Sequence, residues 1–473
     1  MIQQRFEATL TARDCKRHLP HRFQVPAGCA QVEISLRFSP HRVGNTTNML
    51  CLTVFDAHGF RGAGHRGGNE HIVRIAGDAA TPGYEPGPLP AGEWVAQIDT
   101  HMIMPGEPVH YSLEITLREG PLAATPQPTP KARPSTNQGA GWYRGDLHSH
   151  TVHSDASQTI DELLQAARDY GLDFIFLTDH NTVSGLAEVE AKGDASLLTA
   201  GGVELTTFWG HALVLGGREW VDWRIRPGSG AIAQIAEQSY AHDLLFIIAH
   251  PQAVGDPACT GCNWRYPEMM PGNSRLVEIW NGAWQSDSYN PQALALWYDW
   301  LNQGLRLVAT AGTDTHSKDY YSHRPAFNVV YSEALSEQAI LQAVRAGRLY
   351  LSSCPELRMT TQAAGGQRWQ MGETADQPVT LKIGWAGSPT GAVVHLIANG
   401  RLWTSWPVDG AGEIEWPVSP IQTDWVVVEL RSAEQELLAV TNPIYLVTDV
   451  RQRRIVAQRQ IHARPEGFLA WLT

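Results

Sequence analysis

Arg144-Gly145-Asp146-Leu147-His148-Ser149-His150-Thr151-Val152-His153-Ser154-Asp155 decides how the chain is read, together with its echoes Thr178-Asp179-His180, Gly202-Val203-Glu204, Gly210-His211, Ala249-His250-Pro251 and Gly312-Thr313-Asp314-Thr315-His316. Nearly every echo follows an apolar run: Phe174-Ile175-Phe176-Leu177, Leu197-Leu198, Leu244 to Ile248, and Leu305 to Ala309. Short apolar runs of this kind predict buried parallel strands. Imidazoles and carboxylates at the C-terminal ends of successive strands, with helical segments between, predict the catalytic face of a β/α barrel and a metal site upon it.

The pattern fades in both directions from that core. Residues 1–118 alternate β-prone runs (Gln31 to Leu36, Met49 to Phe55, Trp94 to Ile98, Tyr111 to Ile115) with Gly/Pro turns, which predicts an N-terminal β-sandwich with a structural or interface role. Residues 119–141, with Pro121, Pro126, Pro128, Pro130 and Pro134, predict an extended linker. The catalytic domain is expected over 142–355, where Thr159-Ile160-Asp161-Glu162 has the form of a capping box opening a helix. Further helices are predicted at 229–242, 291–303 and 336–346. Residues 356–473 predict a C-terminal, immunoglobulin-like β-sandwich with a tail carrying Arg451, Arg453, Arg454, Arg459 and Arg464.

Composition narrows the function classes. A chain of 473 residues implies two or three domains. A net charge of −12 argues against a nucleic-acid backbone as the main partner. The N-terminus lacks the apolar stretch of a signal peptide and no run approaches a membrane span, so a soluble cytoplasmic protein is expected, with no membrane partner. Six cysteines do not make a disulfide scaffold at this length. Nothing in the sequence fixes the oligomeric state.

In order, HxHxxxxD, TDH, GVE, HP and GTDxH over about 170 residues resemble the PHP (polymerase and histidinol phosphatase) family of metal-dependent phosphoesterases, and within it the CehA/McbA-type branch. The resemblance covers 142–355. It implies a distorted (β/α)7-type barrel, here flanked by N-terminal and C-terminal β-sandwich domains. It also implies two or three divalent ions, zinc, manganese or iron, held by His148, His150, Asp155, His180, Glu204, His211, His250, Asp314 and His316. On that pattern His148, His150, Glu204 and Asp314 hold one ion, and Glu204 bridges to a second that also takes His211 and His250. Asp155, His180 and His316 hold a third. Mixed nitrogen and oxygen donors suit those metals. The implied activity is hydrolysis of a small-molecule phosphomonoester or phosphodiester by a metal-bound hydroxide, with Glu204 as a catalytic residue; His153, inside the same loop, matches no ligand position of the family and is a catalytic candidate from the residues alone. A carboxyl-ester or carbamate hydrolase is the alternative, since a Lewis acid polarises a carbonyl as well as a phosphoryl group. A non-catalytic metal-binding module is a third class.

Other residues carry lesser expectations. His153 reads as a solvent-facing histidine or as a proton donor or phosphate contact. Asp146 and Asp179 read as partners orienting the imidazoles. Lys318, Tyr320, His323 and Arg324 follow the last motif, and Lys318 and Arg324 are candidate substrate contacts. Trp264 and Trp284, with Trp209 and Trp280, could line an apolar pocket for a bulky leaving group. Cys259-Thr260-Gly261-Cys262 reads as a reversible disulfide or simple thiols near the mouth rather than as a structural zinc site.

Overall fold

In the computed structural model, residues 2–121, 133–136 and 138–447 are described. Pro126, Pro128, Pro130 and the five tail arginines lie outside them. By Cα proximity the chain divides into two units, residues 1–294 with 310–345 and residues 295–309 with 346–473. Both contain strands and helical residues, and among the described residues no helix is long and apolar enough to cross a membrane.

The first unit is built on the strand Gly141–Asp146, which pairs in parallel with Phe174–Leu177 and antiparallel with Phe327–Ser332. Phe174–Leu177 continues in parallel to Leu198–Thr207. The first crossover helix, Ile160–Asp169, begins where Thr159 accepts from the Glu162 amide while the Glu162 carboxylate accepts from the Thr159 amide. This reciprocal cap satisfies two otherwise orphaned donors. Its Ile160, Leu163, Leu164 and Ala167 face Ile175, Leu177 and Leu197 in one apolar cluster. The helices Ala231–Ala241 and Glu337–Arg345 also form near the predicted ranges.

Two expectations change here. The Gly202-Val203-Glu204 echo does not follow a short strand: Glu204 lies inside the ten-residue strand Leu198–Thr207, which turns back antiparallel into Gly210–Leu215. Cross-strand pairing of Thr206 with His211 then returns a side chain to the same region. The run Leu276–Asn281, which contains Trp280, is also a strand, parallel to Leu245–Ile248.

Within the same unit, residues 2–119 form two four-stranded antiparallel sheets. Alternate residues of both, including Val32, Ile34, Leu50, Leu52, Val54, Trp94, Ala96, Ile98 and Leu113, make one core. The intervening residues of Met49–Asp56 and Gly92–Met102, among them Cys51, Thr53, Asp99 and His101, therefore point to the other face of their sheet.

The second unit is dominated by Val379–Ala398 paired antiparallel with Arg401–Val418. The β-prone runs 379–383 and 393–397 both belong to this one strand. Gly387, Pro389 and Gly391 sit at register shifts between them, where a bulge tolerates glycine and proline.

Candidate metal centre

Apart from Glu204 and His211, which lie on the paired strands Leu198–Thr207 and Gly210–Leu215, the ligands follow strand ends. His148 and His150 follow Gly141–Asp146, His180 follows Phe174–Leu177, His250 follows Leu245–Ile248, and Asp314 and His316 follow Val308–Gly312. Isolated bridges Ser149–Thr315 and His180–Glu204 stitch these loops together. His250 and Asp314 take φ values of 26° and 54°, uncommon for residues with a Cβ, and strain of this kind persists where the surroundings fix it.

All nine candidate ligands converge on one region, with Glu204 at its centre. Glu204 Oε1 lies 3.1 Å from His211 Nδ1 and 3.2 Å from His250 Nε2. Its Oε2 lies 3.2 Å from His148 Nε2, 3.3 Å from His150 Nε2 and 2.8 Å from His180 Nδ1. Asp314 Oδ1 stands 3.4 Å from His148 Nε2 and 2.9 Å from His150 Nε2. Asp155 Oδ1 stands 3.5 Å from His180 Nε2 and 3.1 Å from His316 Nε2. Within these nine residues three groups have geometry that could hold an ion: His148, His150, Glu204, Asp314; His150, Asp155, His180, His316; and His180, Glu204, His211. The division inferred from sequence differs in three places: His150 also joins the Asp155 group, His180 also joins Glu204 and His211, and His250 stands outside all three groups although its Nε2 is 3.2 Å from Glu204 Oε1.

The imidazoles are tethered so that one nitrogen is left for the centre. His148 Nδ1 is 3.0 Å from the Glu278 carboxylate, His250 Nδ1 3.1 Å from the Cys262 carbonyl and His316 Nδ1 2.7 Å from the Asp314 carbonyl. His211 uses its other nitrogen, Nε2 lying 3.3 Å from the Thr260 carbonyl. Carboxylates and carbonyls only accept, so each of these bonds fixes a ring proton on the tethered nitrogen and leaves the inward one to offer its lone pair once its own proton is displaced. His148 Nε2, His150 Nε2, Glu204 Oε2 and Asp314 Oδ1 are buried and meet one another and His180 Nδ1 at 2.8 to 3.4 Å, while His150 Nδ1 is buried with no hydrogen-bond partner. Nitrogen and oxygen donors packed this closely with few other partners fit a set of divalent cations.

Electrostatics agree with that fit. Burial opposes charge on these groups, yet Glu204 and Asp314 are held well below the usual carboxylate range by the imidazoles around them. Against the same burial, Asp314, Glu204 and Glu278 lift His148 well above the usual imidazole range. His250 is raised to about 9 and His316 to about 10. Protons on His148, His250 and His316 thus balance the carboxylates, which is the balance that cations would supply.

Glu278 escaped the sequence reading. It is fully buried, bonds His148 through one oxygen and accepts from the His250 amide and Asn281 Nδ2, both at 3.0 Å, through the other. The available signal was a lone carboxylate in the apolar run Leu276-Val277-Glu278-Ile279-Trp280. Gly312 makes room for it, because a Cβ there would collide with Glu278 Oε1 and His148 Cβ. Asp146 and Asp179 are placed otherwise than expected. Asp146 accepts from the His148 and Thr313 amides, and Asp179 from the Thr151 amide and the Thr151 and Ser154 hydroxyls. They fix the ligand-bearing loops rather than the rings, since backbone donors reach them first.

His153 points its bonds elsewhere: Nδ1 lies 2.8 Å from Ser184 Oγ and accepts from the Gly83 amide of the sandwich at 3.4 Å. Lys318 is exposed with its amine 3.8 Å from Glu162, and Arg324 is exposed at the end of the short helix Tyr320–His323. Trp264 and Trp284, expected at a substrate pocket, are only 5% and 8% exposed. Trp264 packs over Gly210 and donates to the Met269 carbonyl, and Trp284 packs on Trp280. Cys259 and Cys262 form a disulfide whose loop supplies the carbonyls that hold His211 and His250.

Comparison with known proteins adds the following. Residues 146–263 match the PHP domain. A 64-residue stretch is 31% identical to the phosphoribosyl 1,2-cyclic phosphate 1,2-diphosphodiesterase of Eggerthella lenta, over 13% of this chain. The chain spans about a quarter of that relative, 24% of its length. A crystal structure of a two-domain protein containing a predicted PHP-like metal-dependent phosphoesterase from Bacteroides vulgatus aligns at 17% identity, covering 67% of this chain and all of that one, with a TM-score of 0.38.

Proposed function

We propose, from the premise of the PHP-domain match, that the protein is a metal-dependent hydrolase of small phosphoesters, with phosphodiesters preferred. One observation carries this reading. The fully buried Glu204 divides five imidazoles between its two oxygens, which is how a carboxylate spans adjacent cations. Two or three divalent ions, zinc, manganese or iron, held by the nine residues would acidify a water for attack on phosphorus and neutralise charge on the departing oxygen. The protein's own part is positional. Glu278 and the carbonyls of Thr260, Cys262 and Asp314 hold the imidazoles, while Asp146 and Asp179 hold the loops that carry them. Asp155, Asp314 and His316, with side chains 24%, 22% and 38% exposed, form the open rim of an otherwise buried cluster. Substrate reaches the centre across that rim.

Finer assignments belong to the same proposal. The pairing of Gly141–Asp146 with strands on both sides supports a closed, distorted barrel, and the motif set supports the CehA/McbA-type branch. The test is turnover of bis-aryl phosphate, aryl phosphate and aryl ester by metal-reconstituted protein. Phosphoester turnover is expected to dominate. Turnover of the aryl ester alone would replace this reading with a carboxyl-ester hydrolase.

A further inference from the structure

The outer face of the sandwich sheet carries a second set of donors. Cys51 lies on Met49–Asp56, His101 on the neighbouring strand Gly92–Met102, and His65 directly after Gly59–Gly64, the next strand of the same sheet. The register between the first two strands slips at one point. Met49 pairs with Met102 and Leu50 with Thr100, so His101 is the extra residue of a bulge. Bulges of this kind re-aim a side chain and recur beside active sites. One ligand atom from each of Cys51, His65 and His101 lies within 4.8 Å of the others, and all three residues are buried. His65 is 8% and His101 1% exposed, and the Nδ1 of each is buried without a hydrogen-bond partner. Two orphaned imidazole nitrogens beside one thiol are not what an inert sandwich face needs, because apolar residues would fill it without the cost of unpaired polar atoms.

We propose that Cys51, His65 and His101 form a further metal site, of the zinc class, abutting the Glu204 cluster. The His65 ring centroid stands 4.6 Å from that of His101 and 4.6 Å from that of His180, so the site shares a wall with the main centre. A thiolate with two imidazoles selects zinc or another borderline ion over magnesium, calcium or manganese. Ligand atoms of one tetrahedral zinc stand roughly 3.5 Å apart, and those of this group already lie within 4.8 Å of one another. Binding exchanges the Cys51 thiol proton for the S–metal bond and releases that proton to solvent. Three protein donors leave a fourth corner for water.

The test uses the full chain and does not depend on hydrolysis. Cobalt-loaded wild-type protein is expected to show a thiolate-to-cobalt charge-transfer band. Glu204→Gln should keep the band, whereas Cys51→Ser should lose both the band and one equivalent of bound metal. Absence of the band in wild type, or its persistence in Cys51→Ser, overturns the site. An arm free of variants is anomalous diffraction from zinc-soaked wild-type crystals. A peak beside Cys51 Sγ and the His65 and His101 rings supports the proposal, and its absence there removes it.

Discussion

Glu204→Gln tests the arrangement most directly, because the substitution keeps shape and removes one charge. The carboxylate is fully buried, with five ring nitrogens at 2.8 to 3.3 Å. One unit charge against another at about 3 Å is worth about 5 kcal/mol at an effective dielectric near 20. A second cationic neighbour raises that figure, while relief from burying a carboxylate returns several kcal/mol. A net loss of about 4 kcal/mol is expected, which is about 10³-fold in kcat. The assay is steady-state hydrolysis of a bis-aryl phosphate alongside elemental analysis of the same samples. Glu204→Asp serves as the control that keeps the charge and shortens the reach, and it should fall between wild type and Glu204→Gln. Near-full activity in Glu204→Gln with unchanged metal content would refute the bridging role.

Chelation should abolish turnover, with manganese, zinc or iron restoring it and calcium failing to, because the donors are mixed nitrogen and oxygen; full activity in metal-stripped protein would contradict this. His153→Ala should reduce hydrolysis of alkyl and nitrophenyl phosphodiesters by the same small factor, since its Nδ1 is engaged by Gly83 and Ser184; a loss of about 10² confined to the alkyl substrate would instead make it the acid. Metal affinity should rise with pH. His250 and His316 keep their protons up to about 9 and about 10, because Glu204 and Asp155 outweigh the burial that opposes charge on them. Each proton that an ion displaces below those values contributes about tenfold in apparent affinity per pH unit, readable from chelator-buffered titrations. For the ion-free protein the sign is opposite. These raised values add stability that is whole below about pH 6.5 and is lost as pH climbs through 9 to 10, which denaturant midpoints across that range would show.

The candidate ligands were legible because they are local. A histidine or aspartate set immediately after an apolar run needs only the strand to be recognised, as with Phe174–Leu177 and His180. Thr159 and Glu162 were legible for the same reason, since a capping box spans four residues. Glu278 was not, because one carboxylate inside Leu276–Asn281 has the sequence of an ordinary strand, and only its contact with His148 across 130 positions gives it meaning. Cys51, His65 and His101 have no recognisable spacing, and pairing of three strands brings them together. The long strand Val379–Ala398 was hidden by glycines and a proline that register shifts absorb.

Placement of the sandwich follows from the polarity of the sheet face opposite its core. His18 and Thr53 bond Asp99 there, Gln97 donates to the same carboxylate, and the His18 and His101 rings stack or edge against Phe208 and Trp223. Lys16 donates to the Phe208 carbonyl and pairs with Asp256 at 2.6 Å, and Thr182 Oγ1 donates to the Gly83 carbonyl. Phe208 belongs to the turn between Leu198–Thr207 and Gly210–Leu215, the hairpin that carries Glu204 and His211. The sheet is therefore a wall of the centre, excluding water from the His180 and His211 side and leaving the Asp155, Asp314 and His316 side open. A cluster of buried charge needs such a wall, because each electrostatic contact within it weakens as the local dielectric rises.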